Sequence, residues 1–570
     1  MKLKGNAVSE GLALGPIFIY SPFSVTVSEN FCEKALVNEN LSKYEETKKR
    51  AGQELKDVCQ KMQKEDPEKA KIFVAHQDIL NDEAVNEEII ESIRDDYLSP
   101  DWAIQKTYDK FAKMLKKAPD PLIRERAADL EDVRGRLLRI WYGAPESNLS
   151  ILTEPVVIAA HDLLPSDTAT LDRGNVLAIL TEIGGSTSHS AIIARGYEIP
   201  AILGVPDLLK CVRDGQAAII DAQNGIIELD PDTEEIKKFK ERKKIYIEQL
   251  AEIKAYLGVE PLTADGERID IGLNIASADE EEMRGENYTD FVGLFRTEFL
   301  YMGRSDLPAE EEQFEIYKRV LRAYGSRPVT LRTLDVGGDK TLFCLNLPKE
   351  DNPFLGNRAL RLCFSHSDIF KTQLRAALRA SVYGNLWLML PMVGSIDDIR
   401  RAKSLLEEVR ADLSAGGIPY SDCLKLGIMV EIPSIAVIAD LAAREVDFAS
   451  IGTNDLCQYL TAADRMNPEV APYYQIYHPA LFRLVGQVVS AFNSAGKPIC
   501  VCGEMGGDRL AAAALVGLGM RKLSMGFASV AKIKKLLAGL TIRKAEEIAE
   551  TVVSLQTAGE VEAYLRKNLT

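Results

Sequence analysis

At 570 residues the chain is too long for one compact core, and its length suggests about three or four domains. Its 69 Lys and Arg against 85 Asp and Glu leave a formal net charge of -16, which excludes non-specific attachment to nucleic acid or to an anionic membrane and favours a basic partner. Hydrophobic residues at 46% and charged residues at 27% exclude a disordered chain, and nine cysteines without paired spacing read as the reduced thiols of a cytoplasmic protein.

The opening MKLKGNAVSEGLALGPIFIY has two lysines, but Gly and Pro interrupt its apolar residues, so neither a signal peptide nor membrane insertion is expected. Residues 5–20 read as short strands. Near Asn30 the pattern changes to long charged segments in which Leu41, Tyr44, Ala51, Leu55, Val58 and Met62 recur at helical spacing. Ser99 before Pro100 reads as an N-cap with proline at the first helical position, and Gly143 with Pro145 ends the last long helix. Residues 29–143 are therefore expected to form a helical bundle.

From Pro155 the β-branched runs return, at 156–160, 176–180, 201–204 and 217–221. The simplest arrangement joins residues 1–28 and 144–231 in one α/β domain, with the helical bundle inserted between its two pieces. Within it GGSTSHSAIIARGYEIPAILGV, residues 184–205, places His189 in a turn rich in glycine and hydroxyls that leads into an apolar helix. Backbone N–H groups at a helix start attract an anion, Gly184, Gly185 and Gly196 allow close approach, and Ser186, Thr187 and Ser188 can fix the ring's tautomer. An imidazole there suits nucleophilic catalysis through a phosphohistidine, although a lone histidine near apolar residues is more often packing.

Residues 232–261 are rich in Lys, Glu, Ile and Leu and read as a solvated linker helix. Beyond it, strand-like and helix-like segments alternate. The candidate strands 269–275, 290–295, 328–334, 386–392, 426–432, 447–452, 498–504 and 521–525 point to a (β/α)8 TIM barrel over 262–570, with its active site at the strands' C-terminal ends. Charged residues fall at those ends: Arg296, Arg332 with Asp335, Glu431, Asn454 with Asp455, and Glu504 beside Cys502. Glu431 and Asp455 are hard oxygen ligands suited to Mg2+, and Arg296, Arg332, Arg358 and Arg465 can grip phosphate and carboxylate, so a small anionic substrate is implied. Cys502 can donate a proton to an enolate carbon or serve as a small buried hydrophobe.

Seven ordered motifs carry a resemblance: the 184–205 segment, GLFRTEFLYM (293–302), TLRTLDVGGDK (330–340), NPFLGNRALR (352–361), VEIPS (430–434), SIGTNDLCQYLTAADR (450–465) and CGEMGGD (502–508). With ERAADLEDVRGRLL (125–138), the chain resembles enzyme I of the phosphoenolpyruvate-dependent phosphotransferase system along nearly its whole length. The resemblance implies a phosphohistidine domain, an inserted helical subdomain that binds the carrier protein HPr, a linker, and a phosphoenolpyruvate-binding barrel that makes a homodimer. It also implies the roles. Mg2+ is held by Glu431 and Asp455. Arg296, Arg332, Arg358, Asn454 and Arg465 bind the substrate, Nε2 of His189 takes the phosphoryl group, and Cys502 protonates the departing enolate to give pyruvate. Phosphoryl transfer rests mainly on positioning and charge neutralisation, which a metal and an arginine clamp supply. A hinge motion about residues 232–260 follows, because His189 must meet two partners in turn.

Asn357 and Cys457 depart from the family pattern and bear on pocket shape. A pyruvate phosphate dikinase or phosphoenolpyruvate synthase shares the histidine turn and barrel but needs a nucleotide-binding domain, for which neither a Gly-rich phosphate loop nor spare length is visible. The nitrogen-related paralogue carries an added N-terminal sensory domain that is not seen here. A non-catalytic, phosphorylation-sensing homologue would not be expected to keep His189, Glu431, Asp455 and Cys502 together.

Overall fold

A computed structural model of the chain describes residues 1–569 except 22–24, 26, 66, 117–120, 145–148, 150, 151, 153, 164–166, 168–170, 172, 173, 186, 187, 198, 303, 305, 339–344, 346 and 349. For 61, 63–65, 67–69, 71, 116, 121–125, 189, 192, 196 and 468 the description is of the backbone alone. The chain divides into two compact units, Met1–Glu248 and Gln249–Thr570.

The first unit contains an eight-stranded sheet: β1 (Lys2–Lys4), β2 (Asn6–Ser9), β3 (Leu12–Tyr20), β4 (Val156–Ala160), β5 (Val176–Thr181), β6 (Ala201–Leu203), β7 (Ala217–Asp221) and β8 (Ile226–Leu229), in the order β1-β8-β7-β3-β4-β5-β6-β2. β3, β4, β5 and β6 run parallel, and the outer strands pair antiparallel. Period-two alternation sends Val157, Ala159, Ala178 and Leu180 to one face, over Leu208 and Val212, and Ile158, Ala160 and Ile179 to the other, under Ala191 and Ala194. β3 belongs to this sheet although the helices of the insert separate it from β4 in sequence.

Those helices span Val37–Glu65, Pro67–Leu80, Glu83–Arg94, Pro100–Lys116 and Pro121–Trp141. They bury Tyr44, Ala51, Leu55 and Met62, with Leu41 and Val58 packed against that core. One sequence expectation needs correction. Pro100 does open its helix, but the buried Ser99 hydroxyl has no hydrogen-bond partner among the described residues and caps none of them. The last helix ends at Trp141 and Gly143 follows at φ +66°; Pro145 lies outside the described residues. The unit boundary falls inside the helix Thr233–Ala255, the expected linker.

The second unit is a closed barrel of eight parallel strands: β9 (Asp270–Ile275), β10 (Phe291–Arg296), β11 (Pro328–Arg332), β12 (Asn385–Leu390), β13 (Lys425–Val430), β14 (Phe448–Ile451), β15 (Ile499–Val501) and β16 (Lys522–Met525). β16 pairs with β9 to close it. The strands' outward apolar residues pack under the surrounding helices in one large core, while Leu294, Trp387, Met389, Met429, Phe448 and Cys502 form a separate cluster inside the ring. No helix among the described residues is long and apolar enough to cross a membrane.

Candidate active site

In the first unit, β5 ends at Thr181 and the chain turns through Gly184, whose φ of +112° favours glycine. Ser188 then caps the helix His189–Gly196: its hydroxyl accepts the N–H of Ala191 at 3.3 Å and donates to the carbonyl of Gly185 at 2.9 Å. His189 is thus the first residue of an eight-residue helix. Ser190 is buried and donates to Asp162 and to the carbonyl of Leu163, each at 3.4 Å, which ties the helix start to the loop after β4. Ser186 and Thr187, expected to fix the imidazole, lie outside the described residues.

In the second unit the strand-end residues converge. Arg332 closes β11, buried, with Glu298 Oε1 at 2.5 Å and Asp335 Oδ2 at 2.9 Å. Its carbonyl accepts from Thr297 Oγ1 at 2.8 Å, and Gln373 donates to that hydroxyl at 3.0 Å. Arg358 has no exposed surface. Its Nε lies 3.1 Å from Asp335 Oδ1, one terminal nitrogen lies 3.1 Å from Asp455 Oδ1 and 3.2 Å from Tyr459 Oη, and the other reaches Asp335 and Asp455 at 3.3 and 3.5 Å. Burial alone would discharge these guanidiniums, but the flanking carboxylates outweigh it and keep both charged.

Glu431 follows β13 and is fully buried; its Oε1 accepts the N–H of Met392 at 2.6 Å and its Oε2 has no hydrogen-bond partner among the described residues. Burial, then Asp455 and Asp335, push its carboxyl up to about 8, against the opposing pull of Arg332 and Arg358. A Cβ added at Gly452 would stand 2.8 Å from that free oxygen, so glycine keeps open a small space beside it. Asp455 sits on the helix Thr453–Thr461 with Arg465 at 3.8 Å. Asn454 accepts the N–H of Glu504 at 3.1 Å through Oδ1.

Arg296 ends β10 and has no ion pair or hydrogen bond among the described residues. With Asn274, Cys502, Glu504 and Asp508 it lines a cavity of about 500 Å³. Cys502 is buried, its Sγ 3.7 Å from the carbonyl of Ile451, and burial pushes its thiol up to about 11, so the proton stays on sulfur near neutral pH. Asn274 Nδ2 donates to the carbonyl of Cys502 at 3.0 Å.

The barrel therefore brings together Arg332, Arg358, Glu431 and Asp455, places Arg296 beside Cys502, and sets Asn454 and Arg465 at the same rim. Three participants were not assigned roles from sequence. In sequence Asp335 is legible only as a strand end, Glu298 follows Arg296 by two residues, and Tyr459 stands one helical turn after Asp455 and donates to the carbonyl of Phe354 at 2.7 Å. The spacing of Tyr459 was the one readable clue.

Fold and site together define a phosphoenolpyruvate-utilising enzyme. Three family models match: PEP-utilising enzyme, N-terminal, over residues 4–126; PEP-utilising enzyme, mobile domain, over 152–225; and PEP-utilising enzyme, PEP-binding domain, over 251–542. Phosphoenolpyruvate-protein phosphotransferase of Priestia megaterium is 42% identical over 99% of this chain and 98% of its own, and that of Bacillus subtilis is 41% identical over 99% of each. An NMR solution structure of an Enzyme I protein is 36% identical, covers 43% of this chain and 99% of its own, and has a TM-score of 0.40. The chain belongs to the phosphoenolpyruvate-protein phosphotransferases, the enzyme I family.

Proposed function

We propose that the chain transfers the phosphoryl group of phosphoenolpyruvate to Nε2 of His189 and from there to a histidine of HPr, the first step of sugar uptake by the phosphotransferase system in the cytoplasm. The observation that carries the barrel's part is Arg296, an uncommitted guanidinium in the same cavity as a protonated thiol. A substrate with a phosphate, a carboxylate and a latent enolate needs that pair.

In this reading Arg296, Arg332, Arg358, Asn454 and Arg465 hold the substrate's phosphate and carboxylate. Among the described residues Arg332 keeps a buried Nε without a partner, and the Arg465 side chain has only a long contact to Asp455. Arg358 can reach a substrate oxygen only by releasing one carboxylate, and each of the two has a second cation beside it, Asp335 from Arg332 at 2.9 Å and Asp455 from Arg465 at 3.8 Å.

Glu431 and Asp455 would hold Mg2+. The unpartnered Glu431 oxygen, the space kept by Gly452 and a carboxyl raised to about 8 by burial and its acidic neighbours all describe a site short of positive charge. When bound, Mg2+ neutralises charge on the phosphoryl oxygens.

His189 Nε2 then forms the P–N bond as the P–O bond to the enolate breaks, and Cys502 gives its proton to the enolate carbon to make pyruvate. We assign HPr docking to residues 29–143, phosphoenolpyruvate binding and homodimer formation to 262–570, and the hinge between partners to 232–261. The test is labelled phosphoenolpyruvate with Mg2+, with and without HPr. An acid-labile label that His189→Ala abolishes and HPr discharges is expected; a label that survives His189→Ala overturns the assignment.

A further inference from the structure

Once Cys502 has protonated an enolate it is left as a thiolate inside a barrel, with no amine or acid in hydrogen-bond contact with its sulfur among the described residues and with the Ser450 hydroxyl beside it. The next turnover needs that proton back. The barrel interior directly behind Cys502 has an unusual composition for a packed ring of strands.

Cys500 and Cys502 are two residues apart on and just after β15, so both point inward. Ser450 on β14 stands opposite Cys500 in the strand register. Its hydroxyl is buried and has no well-aligned hydrogen bond, yet it lies close enough to both thiols to offset part of the rise that burial imposes on each. An unpartnered buried hydroxyl costs stability, so its presence in a strand where alanine would fit is a reason to look for a role.

Ser450 and Cys500 also line a cavity of about 10 Å³, together with Thr330, Trp387, Phe448 and Lys522. That is about the room one water needs. On its far side Lys522 pairs with Asp270 at 2.5 Å, and both side chains are partly exposed at the start of β16 and β9. Three side chains with exchangeable protons, Lys522, Cys500 and Ser450, thus line the interior between the barrel's N-terminal mouth and Cys502.

We propose that Ser450 and Cys500 form a relay that returns a proton to Cys502 from the barrel's N-terminal mouth. The proposal rests on Cys502 being the enolate's proton donor. The Ser450 O–H proton moves to the Cys502 thiolate, the Cys500 S–H proton moves to Ser450 Oγ, and a proton from solvent, entering past Lys522, restores Cys500. One solvent proton enters for each pyruvate made, and no thiol is oxidised. Ser450 and Cys500 touch no substrate; they act through Cys502.

The experiment follows the S–H stretching band of the full-length protein after one equivalent of phosphoenolpyruvate with Mg2+. In the wild type one S–H band is expected to dip and recover quickly. In Cys500→Ala and Ser450→Ala the dip is expected to form at the same rate and persist at least about tenfold longer, and Cys500→Ser, which keeps an exchangeable proton, is expected to restore recovery. Equal recovery in wild type and both alanine variants overturns the relay. Absence of any dip in the wild type overturns the role of Cys502 itself, and the relay falls with it. Ser450→Thr keeps the hydroxyl and is expected to recover normally should Ser450→Ala fold poorly; slow recovery in a folded Ser450→Thr counts against the relay.

Discussion

Met392 holds Glu431 with its backbone: the N–H of Met392 lies 2.6 Å from Glu431 Oε1, and Met392 itself sits at φ +52°. A non-glycine residue in the left-handed region costs energy that the surroundings must supply. Here the cost directs an amide at one carboxylate oxygen and leaves the other open.

Glu431 makes stability pH-dependent in a defined direction. Its carboxyl is raised to about 8 in the folded chain by burial first and by Asp455 and Asp335 next. The unfolded state loses this proton near the ordinary glutamate value, so between that pH and about 8 the folded state binds more protons and stability falls as pH rises. Thermal unfolding across this window is expected to show the decline in the wild type, and Glu431→Gln is expected to flatten it. Saturating Mg2+ is expected to flatten it as well, and an unchanged slope with Mg2+ would count against Glu431 as a ligand.

Gly452→Ala tests the space beside the same carboxylate. The added Cβ would stand 2.8 Å from Glu431 Oε2 and 3.1 Å from Met429 Cγ. The expected result is a Mg2+ requirement raised about 10- to 100-fold, the usual scale for disturbing a ligand's surroundings, with secondary structure unchanged by circular dichroism. Wild-type Mg2+ dependence would remove Gly452 from the site.

Arg358→Lys is not a conservative change at this position. One guanidinium spans Asp335 and Asp455 with several donors, and a lysine ammonium cannot reproduce that fork. Deleting one partner of a buried pair costs about 3–5 kcal/mol, and lysine keeps the charge but loses the fork, so up to that cost is expected. Denaturant unfolding is expected to show a loss on that scale, together with loss of phosphoenolpyruvate-dependent labelling.

Ser188→Ala removes the cap of the helix that His189 begins. The expected cost is about 1 kcal/mol, concentrated at the first turn. Hydrogen exchange should report faster exchange at Ala191, whose N–H the Ser188 hydroxyl accepts. Unchanged protection there would show that the helix start is held by the backbone bond from Ala191 to the Ser188 carbonyl at 3.1 Å, with Ser190 and its contacts to Asp162 and Leu163.

The barrel was readable because parallel strands buried on both faces leave unbroken apolar runs, and all eight lie within a few residues of their expected spans. β8 escaped notice although Asn224-Gly225 between two apolar runs is a hairpin turn, with Gly225 at φ +68°. Ser99 had the right type and place for a cap, but capping depends on a side-chain direction that sequence does not record. At the site, residue types at strand ends were visible, whereas pairing was not. Arg358 meets Asp455 across 97 residues of chain, and no local pattern shows that an arginine read as a substrate ligand already grips two carboxylates.

The placement of β3 has a consequence for how the protein is made. A ribosome delivers Leu12–Tyr20 long before its neighbours Val156–Ala160 and Ala217–Asp221, and Met1 waits longer still for the carbonyl of Leu229. During that interval the inserted helices, whose contacts are mostly local, can assemble, while the first strands emerge as bare edges. Nascent chains that stop within the insert thus display unpaired β edges beside a formed helical body, and holdase chaperones are expected to bind there.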